Sequence, residues 1–105
     1  QELNGFVIQN GRAVQGGGTR LSRAPINLVS NQFLANGALA GSFIFDSGPP
    51  NAGGALYLEE SDAHIEGNVI QGNFAMVGGA AYVRSGRPLF LRNLIMENVS
   101  TNLGF

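Results

Sequence analysis

Apolar residues along this chain recur in short bursts, and four of the bursts share one six-residue phrase. Gly5-Phe-Val-Ile-Gln-Asn10, Asn31-Gln-Phe-Leu-Ala-Asn36, Asn68-Val-Ile-Gln-Gly-Asn73 and Asn93-Leu-Ile-Met-Glu-Asn98 reduce to Asn/Gly-x-Φ-x-x-Asn, with Φ apolar. Their first residues lie 26, 37 and 25 positions apart, a period that marks a stacked-repeat protein. A second landmark, Gly16-Gly17, Gly53-Gly54 and Gly78-Gly79, precedes Asn31, Asn68 and Asn93 by 15 residues each time. The two landmarks move together, so the irregularity is confined to an insert over residues 39–52. In this alignment Leu21, Leu58 and Val83 share one column, Leu28, Ile65 and Phe90 a second, and Val7, Phe33, Ile70 and Ile95 a third. Three apolar columns per period predict three short inward faces.

The segments around these columns run four to six residues, alternate in part with period two, and are separated by Gly, Asn, Ser and Pro. That is strand patterning. No window sustains the i, i+3, i+4, i+7 spacing of a helix, and glycine interrupts every candidate. A leucine-rich horseshoe has a similar period, but its Leu-x-x-Leu-x-Leu frame does not recur. The pattern predicts parallel strands, each turn bonded to the next at a spacing of about 4.8 Å. The 105 residues then form one all-β domain, a coil of about four turns starting near residues 5, 31, 68 and 93.

Sixteen glycines beside 12% charged residues fit a fold of tight corners. Seven acids against six arginines and no lysine leave a net charge of −1, with no basic footprint for nucleic acid. The absence of cysteine excludes disulfides and thiolate metal sites. No apolar run approaches the roughly 18 residues of a membrane helix.

Gly53-Gly-Ala-Leu and Gly78-Gly-Ala-Ala, alternating with Phe33-Leu-Ala-Asn36 and its variants at Ile70 to Asn73 and Ile95 to Asn98, resemble the GGAI and FxxN repeats of polymorphic outer-membrane proteins. More broadly the chain is similar to right-handed parallel β-helix repeats of pectate-lyase-like proteins. The resemblance spans Gly5 to Asn98 and implies a β-helix with an extracellular or cell-surface location. Turn one departs from it, with Gly5 for the first Asn and Gly18-Thr19 for Ala-Leu. This scaffold hosts adhesins, autotransporter passengers, polysaccharide lyases and glycoside hydrolases, so the likeness does not choose among them.

Asn10, Asn36, Asn73 and Asn98 are expected to stack at one corner, their amides bonding along the coil axis. The competing reading is a row of ligands for a glycan or ion. Asn98-Val-Ser100 also matches a glycosylation sequon, which a ladder position would hide. The cluster Glu59-Glu60-Ser-Asp62-Ala-His64 is the nearest thing to a catalytic or calcium-binding set. The register instead pairs Glu59 with Arg84, Glu60 with Arg23 and Asp62 with Arg87, across adjacent turns. His64, aligned with Asn27 and Leu89, faces outward and lacks a second ligand or nucleophile. Arg20, Tyr57 and Tyr82 form another outward column, a candidate platform for sugar or protein alongside its reading as cross-turn stacking.

With Phe90 and Ile95 inward, Leu89, Leu91, Leu94 and Met96 point out, and Phe6, Ile8, Leu34 and Val69 are placed in columns with the last two. A solvated face should alternate toward polar residues, so this one is expected to be covered. The candidate covers are the insert, with Phe43 and Phe45, or another chain. The strand edges of the first and last turns also lack a cap in the sequence, so excision from a longer β-helical protein, or assembly as a homo-oligomer, is expected. The reading favoured is a non-enzymatic structural or adhesive β-helix segment without a cofactor. The alternative is a small relative or fragment of a polysaccharide-active or carbohydrate-binding β-helix, with a groove lined by Glu59, Glu60, Asp62 and Tyr57 or Tyr82. Ice binding is a third, weakened because only Thr19 and Thr101 could build a threonine row.

Overall fold

The computed structural model describes residues 2–13, 15–23, 26–38 and 52–100. Those residues are all-β, with no helix among them. The first repeat forms β1 (Glu2–Asn4), β2 (Val7–Gln9) and β3 (Thr19–Ser22); the second forms β4 (Asn27–Val29), β5 (Gln32–Leu34), β6 (Gly37–Ala38) and β7 (Leu56–Glu59). The third adds β8 (His64–Glu66), β9 (Val69–Gln71), β10 (Phe74–Ala75) and β11 (Ala81–Arg84), and the fourth β12 (Leu89–Leu91), β13 (Leu94–Met96) and β14 (Val99–Ser100).

These strands assemble into four sheets, β1-β4-β8-β12, β2-β5-β9-β13, β6-β10-β14 and β3-β7-β11. Every pairing is parallel. The two four-stranded sheets take one strand from each repeat, β3-β7-β11 takes one from each of the first three and β6-β10-β14 one from each of the last three, and a bridge from Arg12 to Gly37 extends that last sheet to the first repeat. The expected insert lies almost wholly at residues 39–51, outside the described residues, and with it Phe43 and Phe45.

Positive-φ residues explain why the strands stop where they do. Asn10, Ala35, Gly72 and Glu97 are left-handed at one corner; Gly5, Ser30, Gly67 and Arg92 at a second; Gly16, Gly53 and Gly78 at a third; Arg23, Glu60 and Ser85 at a fourth. Each set repeats with the period of the sheets, so one left-handed residue reverses the chain at the same point in each repeat. Non-glycine residues bear a cost of roughly 1–2 kcal/mol for that conformation. The second glycine of each Gly-Gly pair has a separate cause. A Cβ on Gly17, Gly54 or Gly79 would collide with the carbonyl of Gly37, Gly79 or Val99 respectively, so only glycine lets the backbones meet.

Two of the three expected inward columns appear as expected. Leu21, Leu58 and Val83 are in register, as are Leu28, Ile65 and Phe90. The third requires a correction, because Ile8, not Val7, pairs with Phe33 and thence with Ile70 and Ile95. Val7 pairs with Gln32 and faces outward, 53% exposed. The cause lies in the corners: Gly5 is the left-handed counterpart of Ser30, so the first repeat is offset by 25 residues and not 26. Leu28, Phe33, Leu58, Ile65 and Ile70 are fully buried, each contributing roughly 1.5–3 kcal/mol of apolar burial.

Candidate functional site

The corrected register places two asparagine ladders inside the molecule. Asn36, Asn73 and Asn98 form the expected one. Asn36 donates its backbone N–H and its side-chain amide to Asn73 Oδ1 (2.8 and 3.0 Å), and Asn73 does the same to Asn98 Oδ1 (2.9 and 2.8 Å). Each side chain also donates to a carbonyl of the preceding repeat: Asn36 to Ile8, Asn73 to Phe33 and Asn98 to Ile70. Asn10 is not a member. It is exposed at the left-handed corner, and Gly11 occupies the ladder position, donating its N–H to Asn36 Oδ1. A second ladder of Asn31, Asn68 and Asn93 follows the same rule, with Phe6 N–H donating to Asn31 Oδ1. It was signalled by the first letter of the six-residue phrase, which is Asn in three of its four copies. Buried amides with every polar atom bonded specify register, and Asn31, Asn36, Asn68 and Asn73 are buried.

The acidic cluster is bonded across repeats. Glu59 Oε2 meets Arg84 Nη1 at 2.7 Å, while its Oε1 accepts from Ser22 Oγ at 3.2 Å and lies 3.4 Å from Arg20 Nη2. Partial burial acts against its charge, yet the Ser22 hydrogen bond and the two arginines prevail and hold the carboxyl below its usual range. Glu60 pairs with Arg23 at 2.6 Å, which raises the guanidinium pKa further through that hydrogen bond and charge. Asp62 does reach Arg87, but its Oδ1 accepts from the Arg87 backbone N–H at 2.9 Å and not from the guanidinium. Arg92 with Glu66 at 2.6 Å is a further pair that the alignment had not singled out. His64 is exposed, its backbone N–H donating to Asn27 Oδ1.

Outward on the fourth sheet, Arg20, Tyr57 and Tyr82 lie in one column, as expected. The tyrosine rings stack with centroids 5.4 Å apart and 13° between planes, and the Arg20 guanidinium lies 5.7 Å from the Tyr57 ring centroid. Tyr57 is nevertheless fully buried. That burial, then the nearby Glu59 charge, raises its phenol pKa. Of the three residues of the expected platform, Tyr82 and Arg20 therefore keep accessible surface and Tyr57 does not. Among the described residues no group of His, Asp and Glu has the geometry to hold a metal ion.

The expected apolar face is relocated. Leu94 shares its column with Val69, Gln32 and Val7, and Met96 shares its column with Gln71, Leu34 and Gln9. Phe6 sits at the Asn31 ladder position and Ile8 points inward against the core, so neither belongs to those columns. Earlier repeats interpose glutamines in these two columns, and three consecutive exposed apolar residues, Leu94, Ile95 and Met96, lie in the fourth repeat. Seven of the ten exposed large apolar residues lie on the last strand of each sheet: Val83, Leu89, Leu91, Leu94, Ile95, Met96 and Val99.

No protein-family model matches the chain, and no curated protein or solved structure matches it either.

Proposed function

We propose that the four sheets are the faces of a right-handed parallel β-helix, and that the chain is a non-enzymatic structural or adhesive segment of a surface or secreted protein. Parallel sheets that take at most one strand from each repeat, with left-handed residues recurring at the same four corners, support the coil. Its right hand follows the strong preference of parallel crossover connections. The GGAI/FxxN resemblance supports the surface assignment.

The observation that carries the non-enzymatic reading is the direction of the carboxylates. A general acid or nucleophile must face the substrate, whereas Glu59 and Glu60 are turned onto arginines of neighbouring repeats and Asp62 onto a backbone N–H. The side chains are committed to holding one repeat on the next. Incubation with uronic-acid polymers and neutral glucans, followed by chromatography of the products, tests this. Intact polymer is expected, and chain cleavage lost in Glu59→Gln would overturn the reading.

A second reading is favoured by one observation, the partly exposed Tyr82 ring stacked on Tyr57, which separates it from Arg20. A tyrosine face of this kind suits a sugar ring. Binding on a glycan array that disappears in Tyr82→Ala would establish it.

A further inference from the structure

The dipeptide Asn-Gly occurs three times, at Asn4-Gly5, Asn10-Gly11 and Asn36-Gly37. It is the least durable pairing an asparagine can have, because glycine has no Cβ to keep its backbone nitrogen away from the neighbouring side-chain carbonyl. Once deprotonated, that nitrogen attacks Cγ. The new N–C bond closes a succinimide ring, the Cγ–Nδ2 bond breaks, and the amide group leaves as ammonia. Water then opens the ring at one of its two carbonyls, giving either aspartate or isoaspartate, whose main chain runs through the former side-chain carbon. In total the chain takes up one water and releases one ammonia. The reaction needs a glycine N–H that can be freed and room for the two residues to turn toward each other.

The three copies differ in both respects. Asn36 is fully buried, its amide is bonded to the Gly11 N–H, the Ile8 carbonyl and Asn73 Oδ1, and the Gly37 N–H donates to the Gly11 carbonyl at 2.9 Å. Asn10 is exposed, but its attacking nitrogen is engaged: the Gly11 N–H donates to Asn36 Oδ1 at 2.9 Å, and a Cβ on Gly11 would collide with the Gly17 carbonyl, so the backbone there is tightly packed. Asn4-Gly5 is held by neither a short bond nor close packing. Both residues are exposed, the Gly5 N–H reaches the Val29 carbonyl at 3.3 Å, and nothing lies within 4 Å of the place a Cβ would take on Gly5. This openness is lateral. Ser30, Gly67 and Arg92, the counterparts of Gly5 at the same corner, are exposed in every later repeat.

We propose that Asn4-Gly5 is a spontaneous modification site, at which the chain ages through a succinimide to isoaspartate and aspartate, while the asparagine ladder keeps the same dipeptide slow at Asn10 and inert at Asn36. The site lies between the two bonds that tie Asn31 to the first repeat, from Asn31 Nδ2 to the Leu3 carbonyl at 2.8 Å and from the Phe6 N–H to Asn31 Oδ1 at 2.9 Å. Isoaspartate lengthens the main chain between those bonds by one atom. Either product also replaces the amide that donates to Glu2 Oε2 at 2.7 Å with a second carboxylate, turning an attraction into a repulsion. Conversion therefore loosens the Asn31 ladder where it meets the first repeat and leaves the Gly11–Asn36 bond in place. None of this depends on the role proposed above for the chain.

The test incubates the folded full chain at mildly alkaline pH in water enriched in heavy oxygen, then maps the products by mass spectrometry with electron-transfer fragmentation, which separates isoaspartate from aspartate. Heavy oxygen is expected at Asn4 at least about tenfold faster than at Asn10, and not at Asn36 before Asn4 is half converted. In urea strong enough to unfold the chain, the three sites should react within about threefold of one another, which assigns the difference to the fold. Gly5→Ala, at a left-handed corner that Ser30 and Arg92 already occupy in other repeats, should slow conversion of Asn4 at least about tenfold. In the isoaspartyl chain, hydrogen exchange should be faster at the Phe6 N–H and unchanged at the Gly11 N–H. Incorporation first at Asn10 or Asn36, equal rates at all three sites in the folded chain, no incorporation at Asn4 while the unfolded chain converts, or unaltered exchange at Phe6 would each overturn the proposal.

Discussion

Replacing Asn73 with alanine should be among the most damaging changes to a polar residue in this chain. Asn73 is fully buried. Its Oδ1 accepts from the Asn36 backbone N–H and side-chain amide, and its own amide donates to the Phe33 carbonyl and to Asn98. Alanine would strand the Asn36 N–H, one Asn36 amide proton and the Phe33 carbonyl in the interior, whereas Asn98 Oδ1 keeps the Asn73 backbone N–H. An unsatisfied buried group costs about 1–3 kcal/mol, so the loss should be about 3–5 kcal/mol after partial relaxation. Asn98→Ala at the open edge, where water can reach the stranded donors, should cost about 1–2 kcal/mol. Asn10→Ala should cost less than about 1 kcal/mol, since alanine already occupies the same left-handed corner at Ala35. Urea denaturation followed by far-ultraviolet circular dichroism measures the series. Asn73→Ala within about 0.5 kcal/mol of the parent, or Asn10→Ala as costly as Asn73→Ala, would refute the ladder reasoning.

Glycines of the two kinds should separate cleanly. Gly54→Ala drives a Cβ into the Gly79 carbonyl and should cost more than about 3 kcal/mol, while Gly72→Ala, with its nearest neighbour 3.9 Å away, bears mainly left-handed strain of about 1 kcal/mol; thermal melts distinguish them. Phe33→Ala should lose about 3–5 kcal/mol by opening a cavity, and Ile95→Ala, 49% exposed, clearly less. The depressed Glu59 pKa means its stabilisation is fully present above the unfolded value near 4.5 and is lost as pH falls through the lower folded value. The stability gap between the parent and Glu59→Gln, from urea titrations across pH 2 to 7, should therefore narrow on acidification; a constant gap would contradict the pairing.

Much of the fold was legible because corner chemistry and core chemistry repeat with one period. The Gly-Gly pairs, the Leu21 and Leu28 columns and the Glu59–Arg84 and Glu60–Arg23 pairs all followed from a single alignment. The first repeat was misread because Asn and Gly serve two neighbouring roles. Glycine and asparagine both suit a left-handed corner, and Gly5 and Asn10 fill that role there, one residue before the ladder positions of Phe6 and Gly11. Sequence types alone cannot separate a corner asparagine from a ladder asparagine one position away. The burial of Tyr57 was equally hidden, because strand alternation assigns a side to a residue and says nothing of what lies over that side. Asp62 reached its expected neighbour through a backbone N–H, a group present at every non-proline residue and so invisible to charge pairing.

The central claim is that successive repeats lie directly on one another in parallel register, with β1 and β2 offset by 25 positions from β4 and β5 and β3 by 37 from β7. Nuclear Overhauser contacts between backbone protons of isotopically labelled protein measure this directly. The expected pattern links Ile8 with Phe33, Phe33 with Ile70, Ile70 with Ile95, and Tyr57 with both Arg20 and Tyr82. Contacts that pair Val7 with Phe33, or that run antiparallel between β5 and β9, would contradict it.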